Sequence, residues 1–526
     1  MSESSISLNT CILILKEHHL LKSSAVQDTV PTKMDYISYD SRDIKTNTLF
    51  FCKGAGFRPT YLSMAKDNGA ICYVAEQPTP EGKGMHALIV RDVSKAMALL
   101  SAAFFGFPQD DLYVVAFTGT KGKTTSAYFL KGMLDQVNGG RTALISSVND
   151  VVGPRPEDSF KSSLTTPESL DLFRDMRTAV DNGMTHLVME VSSQAYKKNR
   201  VFGLTYDLGF FLNISPDHIG PNEHPNFADY LHCKLQLMVN SRKCIINAMT
   251  DHFDEVYAAA TTTTQPDSIY LFARNDFENP NLKAPIDFRF ESVETDMAET
   301  KFKLYCATEK AKKLPIAGEY TLQMIGDFNE INGTAAIIGA GLAGESYKDI
   351  AKGVRHVTIP GRMETLPSKE HGTVVVDYAH NKASMMALMG FMRKEFNDPK
   401  IIVVVGAPGD KGVSRRPGFS ESLSAYADKA FLTTDDPGFE DPMDIAQEID
   451  AGIDHEKVDV TIELDREKAI HDAIAMAGKN DIVLICGKGA DPYQKIRGID
   501  TPYPTDIRVA ESVIHELEKN NKDKKD

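Results

Sequence analysis

An apolar run, Leu112–Phe117 (LYVVAF), passes straight into a glycine-rich turn and then into a helix-forming stretch, TSAYFLKGMLDQV. Strand, glycine turn and helix in that order begin a parallel α/β unit, so the surrounding chain must supply a parallel sheet covered by helices. The turn reads Thr118-Gly119-Thr120-Lys121-Gly122-Lys123-Thr124-Thr125. Its glycines let backbone N–H groups approach an anion closely, and the helix N-terminus behind them favours negative charge. Lys123 has the reach for a β/γ-phosphate, and the Thr124 hydroxyl for a magnesium ion. The common P-loop has another glycine five residues before Gly122, where this chain has Phe117. A bare strand-to-helix turn is the competing reading. The preceding strand, the Lys-Thr pair and the following helix weigh against it. Gly487-Lys488-Gly489 and Gly409-Asp410-Lys411-Gly412 lack the threonine and make poorer nucleotide cradles.

The pattern extends in both directions. THLVME (185–190) and LGFFLNI (208–214) are further apolar strands that end in polar residues. Parallel sheets bind ligands at the carboxyl ends of their strands, so these ends point at one crevice. Residues 251–320 are richer in Thr and Asp and read as β-rich. Before them, TLFFC (48–52), ICYVA (71–75) and HALIV (86–90) alternate with helical stretches, and GFPQDD (106–111) reads as a linker. From about residue 355 the pattern restarts with TVVVDYAH, KIIVVVGAPGD, KAFLTTDDP and DIVLICGKG. A chain of 526 residues needs more than one core. The expectation is an α/β protein of three domains, 1–108, 109–355 and 356–526.

Composition removes several function classes. The net charge of −15 argues against nucleic-acid and anionic-membrane partners. No apolar run reaches the length of a membrane span, and the N-terminus lacks signal-peptide character. Seven scattered cysteines without a CxxC pair fit reduced thiols in the cytoplasm. No cluster of Cys and His has zinc-ligand spacing. The tail NNKDKKD reads as frayed.

Among titratable groups, Glu190 ends a strand and is a hard-oxygen ligand candidate for magnesium. A helix-capping acid is the plainer alternative. His218, with Asp217 beside it, follows another strand and borders the same crevice. His224 and His232 carry no comparable signal. Lys234 looks, on spacing alone, like an ordinary helix-surface lysine.

The segments GTKGKTT (119–125), TTPES (165–169), MEVSSQ (189–194), NISPDHIG (213–220), FNEING (328–333), PGRME (360–364) and VVDYAH (375–380) occur in one order. Together they resemble the Mur ligases over residues 38–509. YDSRDIKTNTLFF (39–51), DDPGFEDP (435–442) and GKGADPYQ (487–494) narrow the resemblance to the tripeptide-forming branch. The family usually lacks the early loop glycine. The resemblance implies an N-terminal UDP-binding α/β module, a central P-loop parallel-sheet ATPase domain and a C-terminal Rossmann-like domain that brings an amino acid. It implies an acyl-phosphate route to an amide, with ATP and Mg2+ as cofactors. The substrates implied are UDP-MurNAc-L-Ala-D-Glu, ATP and an amino acid, and the chain is expected to be a monomer.

The resemblance also assigns residues. Gly119, Thr120, Lys121, Gly122, Lys123, Thr124 and Thr125 would hold ATP phosphates, Asn329 and Asn332 the adenine, and Asp377 the ribose. Lys123 and Arg362 would neutralise charge during phosphoryl transfer. Thr124, Glu190, His218 and Lys234 would serve the metal, Lys234 as an N6-carboxylysine (a carbamate). Thr165, Thr166, Ser192 and Arg200 match the muramyl-peptide site, and Tyr39 and Ser41 the uracil side. Lys198 stands where some relatives carry Gln.

Relatives that add meso-diaminopimelate carry DNPR where this chain has Asp435-Asp436-Pro437-Gly438. Loss of the Arg and gain of Asp436 favour a chain ending in an ammonium, hence L-lysine, with diaminopimelate as the alternative. Arg416, or Arg415 if the alignment slips by one, matches the α-carboxylate contact. Asp435, Gly487 and Asp491 match its surroundings. Three rivals share parts of the pattern. A folylpolyglutamate synthetase generally lacks the N-terminal module. A non-catalytic relative would not need Lys123, Glu190, His218 and Lys234 intact. A P-loop switch would not need the third domain.

Overall fold

The apolar runs of the sequence become the strands of three sheets. The computed structural model describes residues 4–54, 56–220, 223–295, 299–324, 326–396, 399–410 and 415–523. Lys411 and Gly412 of the second glycine-lysine segment, and the last three residues of the tail, lie outside them. The chain divides into two compact units, Met1–Glu291 with Lys303–Tyr320 and Ile331–Val354, and Ser292–Phe302 with Thr321–Glu330 and Arg355–Asp526.

The first unit begins with a five-stranded sheet in the order Leu21–Ala25, His86–Val90, Ala70–Ala75, Thr48–Phe51, Tyr36–Ser38. Only the Leu21–Ala25 edge runs antiparallel to its neighbour. The second sheet of this unit is centred on Tyr113–Thr118. It lies between His186–Glu190 and Tyr206–Phe211, parallel to both. Thr142–Ile145 continues the sheet on one side, and Ser241–Asn247 and Ile269–Arg274 on the other. Val114, Val115, Ala116 and Phe117 are all buried, as a strand covered on both faces requires. The expected strand 112–117 and helix 125–137 are found at Tyr113–Thr118 and Lys123–Asn138. The β-rich expectation for 251–320 is met by Ile269–Arg274, Phe288–Thr295, Thr300–Cys306 and Gly318–Leu322, with one helix, Phe253–Thr261, before them.

The second unit carries a six-stranded sheet in the order Glu364–Pro367, Thr373–Asp377, Ile482–Cys486, Ile401–Val405, Lys429–Leu432, Asp459–Ile462. All pairs but the first are parallel. One buried ion pair fixes the loop after Ile482–Cys486. Arg466 donates to both carboxylate oxygens of Asp506 at 2.7 and 2.8 Å. Asp506 also accepts from the Tyr503 hydroxyl at 2.8 Å and the Gly489 N–H at 3.1 Å. Removing one partner strands the other charge in the core. Asp506→Ala is therefore expected to destabilise the protein by about 3–5 kcal/mol. Urea unfolding checks this. A loss under ~1 kcal/mol would show that water reaches Arg466.

Candidate functional site

The turn Gly119–Gly122 leaves the sheet between two neighbouring strand ends, because Phe117 pairs with Glu190 and Thr118 with Phe211. Gly122 adopts φ +85, and a Cβ there would lie 2.2 Å from Asn332 Oδ1. A side chain is thus excluded twice, by backbone conformation and by Asn332. This places the predicted adenine contact Asn332 directly against the glycine loop. Asn213, at the end of the next strand, clamps the loop from the other side. Its Oδ1 accepts from Lys121 N–H at 2.9 Å, and its Nδ2 donates to Lys121 O at 3.0 Å. Thr125 follows Thr124 in the first turn of the helix.

Glu190 is fully buried. Its Oε1 accepts from the Thr124 hydroxyl at 2.9 Å, the Ser147 N–H at 2.8 Å and the Ser147 hydroxyl at 3.2 Å. The predicted pair of metal-side oxygens is thereby brought together on the strand end. Lys123 Nζ donates back to Gly119 O at 2.9 Å and Thr120 O at 3.3 Å. Lys234 corrects the surface reading. It is 2 % exposed, and its Nζ donates to the same Gly119 carbonyl at 2.7 Å. Burial holds its amine well below the ordinary lysine pKa, and Lys123 pushes in the same direction.

Tyr230, one helical turn before Lys234, links the neighbours. Its hydroxyl lies 2.9 Å from the Thr120 hydroxyl, and its ring 4.9 Å from Lys234 Nζ. The His218 ring lies 6.4 Å from that of Tyr230, with Nδ1 2.7 Å from Glu223 Oε1. His218 is half-exposed at φ +53, in a loop that a bridge between Ile219 and His224 closes. His224, which sequence reasoning passed over, is buried between Ser193 Oγ (2.9 Å) and Asp229 Oδ2 (2.7 Å). Possible ligand atoms of His224, Asp229 and Cys233 lie within 4.8 Å of one another, a grouping that residue spacing alone does not reveal. Lys197 already sits 2.7 Å from the Asp229 carboxylate.

The muramyl-peptide candidates form one chain of bonds. The Thr166 hydroxyl donates to Glu190 O at 3.0 Å and accepts from Ser192 N–H at 3.1 Å. Arg200 donates to Thr166 O at 3.2 Å and to Glu168 at 3.0 Å. Ser192 caps the helix Ser193–Lys197. Thr165 is half-buried beside Thr166. In the first sheet's loop Ser41 is buried, and the Tyr39 hydroxyl donates to Asp171 at 2.6 Å. Burial and Asp171 push the Tyr39 phenol up.

In the second unit Asp377 ends its strand and accepts from Met363 N–H (3.0 Å) and Ala379 N–H (2.8 Å). Desolvation raises its pKa, and Arg362, stacked 4.7 Å over the Tyr378 ring, works against that. Asn329 is buried in the same unit. The loop Asp435–Gly438 is a turn at a strand end, but it does not present Asp436 as an open acid. Lys488 Nζ donates to Asp436 at 2.7 Å and lies 3.5 Å from Asp435 and 3.7 Å from Asp491. Asp436 also accepts from Lys495 N–H at 3.0 Å. Burial pushes Asp435 up to about 6, against the pull of Lys488. Gly487 abuts Asp435, since a Cβ there would lie 2.9 Å from Oδ2. Arg416 is buried and ion-paired with Glu448 and Glu440. Arg415, the alternative contact, is half-buried at the start of the same helix.

Among the described residues no helix is long and apolar enough to cross a membrane. Residues 117–340 match the Mur ligase middle domain, and residues 361–489 the Mur ligase glutamate ligase domain. The chain is 88% identical to a UDP-N-acetylmuramyl-tripeptide synthetase of Lactobacillus acidophilus over 98% of both chains. It is 46% identical to a UDP-N-acetylmuramoyl-L-alanyl-D-glutamate–L-lysine ligase of Enterococcus faecalis over 91% of both. Its fold is similar to that of a solved UDP-N-acetylmuramoyl-L-alanyl-D-glutamate–2,6-diaminopimelate ligase, with TM-score 0.64 and 22% identity, covering 98% of this chain and 99% of that one. The glycine loop backed by Glu190 and the two matched domains together make this chain a member of the Mur ligase family.

Proposed function

We propose that this chain is the ATP-dependent ligase that joins L-lysine to UDP-MurNAc-L-Ala-D-Glu in peptidoglycan precursor synthesis, working in the cytoplasm as a monomer. The observation that carries the reading is the convergence of Lys123, Lys234, Thr124 and Glu190 on one glycine loop at a strand end. A carboxylate is a poor electrophile, so it must be activated. A glutamate carboxylate oxygen attacks the γ-phosphorus, the bond to the β-phosphate oxygen breaks, and ADP leaves. The lysine α-amine then attacks the acyl carbon, loses a proton, and expels inorganic phosphate. Such transfers depend mainly on positioning and charge neutralisation. Lys123 supplies a positive charge at the phosphates.

The oxygen donors Glu190 and Thr124, 2.9 Å apart, fit a hard divalent cation, with His218 as a further candidate ligand. Magnesium there supplies charge neutralisation of the phosphates. An amine at Lys234 does not fit that role. Its burial next to Lys123, on a carbonyl rather than a carboxylate, instead favours an uncharged amine able to take up carbon dioxide.

The choice of lysine rests on charge. Three carboxylates, Asp435, Asp436 and Asp491, surround one ammonium, Lys488. Carboxylates with no arginine at Gly438, where diaminopimelate-adding relatives carry one, suit the substrate's ε-ammonium and do not hold the distal carboxylate of diaminopimelate. Incubation with ATP, UDP-MurNAc-L-Ala-D-Glu and either amino acid is expected to yield the lysine adduct by mass, with ADP release requiring all three substrates. Asp436→Asn is expected to lower kcat/KM for lysine by about 10–100-fold. Unchanged lysine turnover in that variant would remove Asp436 from the pocket. The complementary Gly438→Arg exchange is not a clean test, because Gly438 sits at φ +62 with a Cβ position 2.2 Å from Asp410 Oδ2.

A further inference from the structure

In the first unit one carboxylate serves two bases. Glu168 Oε1 accepts from Arg200 at 3.0 Å, and Oε2 is ion-paired with Lys53. The side chains of Lys53, Glu168 and Arg200 are 13%, 17% and 10% exposed, so solvent still reaches them. Glu168 occupies the N-cap position of the helix Ser169–Asp181, yet its side chain makes no capping bond. It is turned toward the cations instead. Within this trio two positive charges face one negative, a surplus of +1, while the nearby Asp171, which accepts from the Tyr39 hydroxyl, is ion-paired with Arg174.

The position of this surplus is specific. Lys53 follows the strand Thr48–Phe51 at the carboxyl end of the first sheet, the end at which parallel sheets take ligands. Its ammonium lies 5.5 Å from the ring of Tyr39. On the other side Arg200 bonds Thr166 O, and the Thr166 hydroxyl bonds the carbonyl of Glu190. A short chain of hydrogen bonds thus joins the cation pair to the residue that holds Thr124.

We infer that Lys53 binds the acidic substrate. Together with Arg200 it takes one oxyanion of the nucleotide-linked peptide, and Glu168 stands in that oxyanion's place when no substrate is present. The exchange swaps one oxyanion partner for another, so neither cation is left buried without a counter-charge. Arg200 has donors enough to keep Glu168 while accepting the substrate, so only the Lys53 bond must open. This inference rests on the reaction proposed above, in which the substrate carries both a diphosphate and peptide carboxylates. Either can supply the oxyanion.

Steady-state kinetics of the full chain test it. Lys53→Met is expected to raise KM for UDP-MurNAc-L-Ala-D-Glu about 10–30-fold, with kcat and the KM values for ATP and lysine within about 3-fold. Lys53→Arg keeps the charge and is expected to restore most of the affinity. Glu168→Gln removes the stand-in and is expected to leave that KM unchanged or lower. Calorimetry with UDP alone and with MurNAc-L-Ala-D-Glu alone locates the oxyanion, since Lys53→Met weakens whichever fragment carries it. An unchanged KM in Lys53→Met, or an equal rise in KM for all three substrates, overturns the binding role. A tenfold rise in Glu168→Gln overturns the stand-in role. If the unaltered chain fails to turn over the nucleotide-peptide, the proposed function itself is wrong, and that result is separate from either.

Discussion

Lys234→Ala is expected to lower turnover about a thousandfold while the fold and nucleotide-peptide binding persist, a loss of the size seen when a charge-positioning group leaves a phosphoryl-transfer site. The argument begins with the two lysines on the Gly119 carbonyl. Both cannot comfortably be ammonium ions, and the buried one, Lys234, is held well below the ordinary lysine pKa. A neutral amine adds to carbon dioxide, forming a C–N bond and releasing one proton. The product is a carbamate, which carries two hard oxygens where an ammonium carried none. The protein in bicarbonate at neutral pH is therefore expected to show the mass of one added carbon dioxide, lost on acidification and absent in Lys234→Ala. The alanine variant leaves a space at a buried position, and millimolar formate or acetate should enter it and restore part of the rate. A structural role predicts no such recovery. If the unaltered chain is unmodified by mass and Lys234→Ala keeps more than a tenth of its activity, the carbamate reading fails.

How much of this was legible in the sequence depends on how local each feature is. The loop and its flanking strand and helix were readable because the determinants lie within 26 residues of one another, 113–138. Glu190 was readable as a strand-end residue, since a parallel sheet sends its carboxyl ends to one side, whereas His218 lies beyond the strand Tyr206–Phe211 in a half-exposed loop. The burial of Lys234 was not readable. The helix Phe227–Val239 turns Tyr230, Lys234, Leu237 and Met238 inward along one stripe, and the Lys234 amine meets the Gly119 carbonyl 115 residues away. Ion partners were the least legible of all. Lys53 meets Glu168 across 115 residues, Lys488 meets Asp436 across 52, and Arg416 meets Glu448 across 32. Motifs name the charged residues of a site, but only the fold decides which charges already hold one another. Hence Asp436 and Arg416, read as substrate contacts, turned out to have internal partners. Lys488, set aside as a poor cradle, lies at the centre of the amino-acid pocket candidates.

The second large effect belongs to Lys123. Lys123→Met preserves the aliphatic stem and removes only the charge, so the helix that starts at this residue should form unchanged. The ammonium bonds the Gly119 and Thr120 carbonyls, which places it within the loop itself. Turning from those carbonyls to a phosphate exchanges neutral acceptors for a charged one, and charge-assisted bonds are the stronger kind. The gain is largest where negative charge is greatest, on the transferring phosphoryl group, so the loss should fall on kcat more than on KM for ATP. Turnover is expected to drop by about 10³–10⁴-fold, with ATP affinity falling by about 10-fold or less. Lys123→Arg keeps the charge but needs more room beside Gly119 and Gly122, where Leu212 and Asn332 already crowd the backbone, and it is expected to recover little. Rapid-quench measurement of acyl-phosphate formation separates the steps. A defect confined to lysine attack, with phosphoryl transfer at its normal rate, would move Lys123 out of the role assigned to it.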